Sequence, residues 1–116
     1  MQKDKESIKN TFKKRLYSFV LRLIEFIDTL PKDNVSYRIG DQLLRSGTSI
    51  LGNYVEAQSA ASKKEFIKYF NISLQSTNES KLWIAILRDV NEPDLNKCSG
   101  FWMKWMNFQK FLLPAF

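Results

Sequence analysis

Apolar residues recur at helical spacing through the first part of the chain. Ile8, Phe12, Leu16, Phe19, Leu23, Phe26 or Ile27, and Leu30 advance in steps of three and four, which lays them along one face of an α-helix. Val20, Ile24 and Ile27 widen that face. Pro31 stops it, because proline disfavours the α conformation in the residue before it. The spacing predicts a first helix over about residues 5 to 30. The next stretch, Pro31 to Ser36, is turn-like and holds Asp33, Asn34 and Ser36 as candidate caps. So short a connection favours an antiparallel neighbour.

A second helix is expected over about residues 36 to 58, with Ile39, Leu43, Ile50 and Tyr54 on one face. It contains Gly40, Gly47 and Gly52, each costing about 1 kcal/mol relative to alanine. Together with Ser46, Thr48 and Ser49, these glycines suit a helix that another backbone approaches closely; a kinked or frayed helix is the alternative. Ser62-Lys63-Lys64-Glu65 reads as a capping box, with the glutamate returning to the Ncap amide. A third helix is therefore expected over about residues 62 to 90, through Phe66, Phe70, Leu74, Thr77, Ile84 and Leu87, with Ile67, Leu82, Trp83 and Ile86 alongside.

Phe101, Trp105, Phe108 and Leu112 continue the helical spacing, with Trp102, Met106 and Leu113 beside them. They predict an aromatic fourth helix over about residues 95 to 113, closed by Pro114. No β alternation competes. The expected fold is all-α, one domain over residues 1–116, an antiparallel up-down-up-down four-helix bundle around a shared core.

Composition narrows the chemistry. The 116 residues include 18 Lys and Arg against 12 Asp and Glu, no histidine and one cysteine. Without histidine, the Ser/His/Asp and Cys/His triads and Cys/His zinc clusters are excluded. Bundle di-iron sites need Glu-x-x-His motifs. No cofactor and no metal are expected, and the protein is not expected to be an enzyme. Lone Cys98 cannot close an intramolecular disulfide. The N-terminus lacks the apolar stretch of a signal peptide, and the most apolar window, Leu16 to Leu30, is broken by Arg22, Glu25 and Asp28. A cytoplasmic protein with no membrane partner is the expectation.

The charge is unevenly placed. Of the net +6, residues 1–15 supply six basic and two acidic groups. Lys5, Lys9 and Lys13 stand one turn apart, with Lys14 and Arg15 adjoining. Like charges at that spacing repel mildly, and a polyanion would relieve the repulsion through salt-dependent phosphate contacts. Lys63, Lys64 and Lys68 make a second basic group at the start of the third helix, where cations oppose the helix dipole. These eight residues are the candidate contacts to RNA or DNA, against the alternative of a solvated surface.

Arg45, Asn53 and Glu56 on the second helix, with Glu79 and Arg88 on the third, form a different set. Their spacing suits a buried or half-buried polar network that fixes helix register or subunit pairing. Glu56 and Glu79, as an acid-base or metal pair, and Cys98 are the only raw material for an enzyme site. The aromatic last segment, with Lys104 and Lys110 between its rings, suits burial in the core or a subunit interface better than base stacking or membrane contact.

Two stretches carry a family resemblance. They are Tyr37 to Ile50 (YRIGDQLLRSGTSI) with Asn53 and Glu56-Ala57, and Ser62 to Ile67 (SKKEFI) followed by Ile72-Ser73-Leu74, Asn78-Glu79-Ser80 and Leu82-Trp83. In combination they resemble the four-helix-bundle family of the 23S ribosomal RNA intervening-sequence protein, over about residues 12 to 90. The resemblance implies a bacterial, cytoplasmic, non-enzymatic bundle that assembles with itself as a homopentamer. It also brings a relative, the accessory variability protein of diversity-generating retroelements, a basic pentamer that binds nucleic acid and a reverse transcriptase. The family name records where some of its genes lie, and most members have no established biochemical function.

Two functions are thus in view. One is a homo-oligomer whose repeated basic arms bind RNA or DNA with avidity. The other is a structural scaffold whose partner is another protein, with the positive charge serving solubility.

Overall fold

The computed structural model describes residues 2–91, with side chains from residue 10 onward. The described part is all-helical: α1 (Gln2–Asp28), α2 (Asn34–Gln58) and α3 (Lys63–Asn91), with no strand among these residues. The expected fourth helix lies outside them, as does Cys98.

Local chemistry sets the helix ends. The amides of Thr29 and Leu30 bond to the carbonyls of Phe26 and Ile27 at 3.1 Å each, a tightened last turn ahead of Pro31. Asp33 is the cap of α2: in extended backbone (φ −123°, ψ 168°), it accepts from the Ser36 amide at 2.8 Å. Asn34 and Ser36 fall inside the helix. Ser62 accepts from the Glu65 amide at 3.2 Å. The Glu65 carboxylate, however, takes the Ala61 amide at 3.2 Å, one residue before the Ncap amide that the capping box predicts.

The order is up, down, up. The Phe12 ring lies 4.7 Å from that of Tyr54, joining the start of α1 to the end of α2. Between α2 and α3, hydroxyl pairs set an antiparallel register: Ser46 with Ser80 and Ser49 with Ser76, each at 2.8 Å. Ser73 completes it by donating to the Ile50 carbonyl at 2.8 Å.

The α1 face packs as its spacing predicts, with Leu16, Phe19, Val20, Leu23, Phe26 and Leu30 buried. They meet Leu43, Ile50 and Tyr54 of α2 and Ile84 and Leu87 of α3. Three expectations need correction. Ile24 does not widen the buried face but is exposed, as are Phe66, Ile67 and Leu82 of α3. The α3 surface turned to α2 is instead a row of small polar residues, Ser73, Ser76, Thr77 and Ser80, all buried. The close approach to α2 also falls on its serine side. A hydroxyl of α3 reaches the α2 backbone directly, whereas a Cβ at Gly47 would meet only the Leu23 side chain of α1. A Cβ at Gly52 would meet nothing within 4 Å. The helix is nonetheless continuous through all three glycines.

Candidate nucleic-acid interface

The antiparallel register decides which basic residues share a region. Because Phe12 sits beside Tyr54 near the end of α2, and α3 starts a few residues later at Lys63, the beginnings of α1 and α3 lie at one end of the molecule. Lys13 and Lys14 of α1 and Lys63, Lys64 and Lys68 of α3 are exposed there, and Arg15 is half-buried. Lys5 and Lys9 lie on α1 in the stretch whose side chains are outside the described residues. The Lys68 ammonium stands 5.6 Å from the centroid of the Tyr69 ring, close enough for a weak cation–π attraction. Phe66 is exposed among these lysines and stacks on Phe70, with ring centroids 5.9 Å apart.

Between α1 and α2, a groove of about 610 Å³ opens at the same end. Asn10, Lys13, Lys14 and Tyr17 line it from α1, and Leu51 and Val55 from α2. Tyr17 and Asn10 are absent from the set that charge patterning selects. Their signal in the sequence is faint: a tyrosine one turn after a lysine on a face the apolar stripe does not use. A second cavity, about 240 Å³, lies near the α1–α2 turn and is lined by Asp28, Lys32, Ser36 and Asp41 among others. The Ser36 hydroxyl is buried there without a hydrogen-bond partner among the described residues.

The five residues of the expected polar network fall into separate contacts. Arg45 Nη2 donates to Glu79 Oε1 at 2.9 Å and to Gln42 Oε1 at 3.0 Å. Trp83 Nε1 donates to the same Glu79 oxygen at 3.3 Å. Glu79 and Trp83 are half-buried in this cluster, while the Arg45 side chain is 67% exposed. Asn53 turns to its own helix, donating to the Ser49 carbonyl and hydroxyl at 2.9 Å each. Arg88 donates to its neighbour Asp89 at 2.8 Å and 3.3 Å, and that hydrogen bond holds the Asp89 carboxyl below its ordinary value. Glu56 is exposed. Since Glu79 stands level with Arg45, Glu56 is about 16 Å further along α2 at the helical rise of 1.5 Å per residue. The two glutamates therefore do not share a site. Among the described residues, no three His, Cys, Asp or Glu side chains converge. No described helix is long and apolar enough to cross a membrane.

Comparison with known proteins adds a family. Residues 9–104 match the family model described as 23S rRNA-intervening sequence protein. Among solved structures, the chain is similar to a protein of unknown function from the S23 ribosomal protein family of Bacteroides thetaiotaomicron. The two share 27% identity over 91% of this chain and 95% of that one, with a TM-score of 0.68. No curated protein matches.

Proposed function

The chain belongs to the 23S rRNA-intervening sequence protein family, and from that premise we propose that it is a non-enzymatic homo-oligomer that binds nucleic acid through the basic end of its helices. The observation that carries this reading is the up-down-up register. It gathers Lys13 and Lys14 with Lys63, Lys64 and Lys68, two groups far apart in sequence, at one end of the molecule. Lysines contacting phosphates supply affinity that is salt-dependent and largely indifferent to sequence. Several copies presenting the same end to one strand would raise avidity without a new contact.

Self-association is supported by an exposed apolar ribbon. Tyr17, Leu21 and Ile24 stand at i, i+4 and i+7 on α1, and Leu44 is exposed on α2. The groove joins Tyr17 to Leu51 and Val55, so the stripes of the two helices run side by side. Apolar surface of this kind is characteristic of a protein interface. A homopentamer is the assembly that the family resemblance implies. The same ribbon favours the second reading, a protein-interaction scaffold without nucleic-acid binding.

Mobility-shift titration of RNA and DNA with the nuclease-treated full chain separates the two. Neutralising the basic end (K13Q/K14Q combined with K63Q/K64Q/K68Q) is expected to abolish the shift, while K32Q/R38Q at the other end leaves it intact. Equal binding by both variants would overturn the assignment of the surface. No shift by the unaltered protein would favour the scaffold.

A further inference from the structure

We propose that the groove between α1 and α2 at the basic end receives a single strand of nucleic acid, with a base stacked on Tyr17 and its phosphates on Lys13 and Lys14. This rests on the nucleic-acid reading above and specifies the form of the ligand. Tyr17 is 58% exposed and lines the groove, so its ring is available to a ligand there. It follows Lys13 by four residues and Lys14 by three, so all three side chains share one face of α1. Neither lysine has an ion-pair partner among the described residues.

The floor of the groove is apolar, formed by the half-buried Leu51 and Val55, and Asn10 brings an amide to its rim. The volume of about 610 Å³ falls within the range of sites that hold small organic groups. A flat base between a tyrosine ring and an apolar floor, its edge near an amide and its phosphate near an ammonium, matches these four chemistries together. A duplex does not fit as well. Its bases are stacked on one another and offer no free face, so it would use only the lysines. Charge selects this part of the ribbon for a polyanion. Further along α1, the charged neighbours of Leu21 and Ile24 are Glu25 and Asp28 against the single cation Arg22, which leaves that stretch to self-association.

Fluorescence anisotropy on the nuclease-treated full chain tests the proposal with labelled oligothymidylate, single-stranded RNA, a duplex of equal length and a polyglutamate peptide. Single strands are expected to bind tighter than the duplex or the peptide. Y17A should weaken the single strand about tenfold and leave the duplex unchanged, with Y17F retaining binding and light scattering showing the same particle mass. Photo-crosslinking of bromouridine-labelled RNA to the unaltered protein should mark the peptide containing Tyr17, a readout that does not depend on how the variant folds. Equal affinity for strand and duplex, or a crosslink elsewhere, would overturn the groove assignment while the basic-surface reading stands. Failure to bind any nucleic acid would remove both. A change of mass in Y17A would reassign the groove to a contact between copies, and polyglutamate binding as tightly through Tyr17 would reassign it to an acidic protein segment.

Discussion

Two glycines of one helix have opposite roles. A methyl at Gly47 would stand 2.0 Å from a Cδ of Leu23, which is itself fully buried. Leu23 is packed in the core cluster, so the added methyl has to displace a buried side chain. Overpacking of this kind costs about 1–3 kcal/mol, against about 1 kcal/mol gained in helix propensity. G47A should therefore lower stability by about 1 kcal/mol in urea unfolding, while G52A, with open space around it, should raise it by about 0.5–1 kcal/mol. Composition showed the glycines but not which neighbour each one faces. Tyr54 gives a test by pH. Burial pushes its phenol above the ordinary value of 10.0, so the fold favours the protonated form. That contribution is fully present below pH 10 and is lost as pH rises through the folded value. Y54F should flatten the alkaline fall in stability.

Helix existence was legible because three apolar stripes hold helical spacing for many turns and end at Pro31, Ser62 and their neighbours. The face that α3 turns to α2 was not. Periodicity counts apolar residues, and the surfaces that meet are serines, which read as solvent-facing in a sequence. Their burial is tolerated because each has a partner: Ser80 donates to the Ser76 carbonyl at 2.9 Å and meets Ser46, and Ser73 reaches Ile50. Size then matters as much as polarity. S80A should cost about 1 kcal/mol, the net worth of an ordinary hydrogen bond. S80L would have to part the helices and should cost more, both read by urea unfolding. The ion pair across the same two helices is a weaker tie. Arg45 is exposed and Glu79 half-buried, and a double-mutant cycle should return a coupling below about 1 kcal/mol.

The described residues form three alternating helices, with Lys13, Lys14, Lys63, Lys64 and Lys68 exposed where α1 and α3 begin. Short connections made the antiparallel order legible in advance, and that order brings the two basic groups together. The groove beside them was hidden, since it depends on how α1 rolls against α2: the roll buries Val20 and leaves Tyr17, Leu21 and Ile24 outside. In the proposed assembly Leu21 and Ile24 are the contact between copies, so L21E/I24E should reduce the particle mass in light scattering without loss of helicity.

The decisive measurement is the affinity of the full chain for labelled nucleic acid across a salt series. Log affinity should fall linearly with log salt, with a slope reflecting several neutralised phosphates at about 0.7 per contact for a single strand, and the slope should become shallower in K13Q/K14Q. Affinity that ignores salt, or no binding at the lowest salt, would contradict the assignment of the basic end as a nucleic-acid surface.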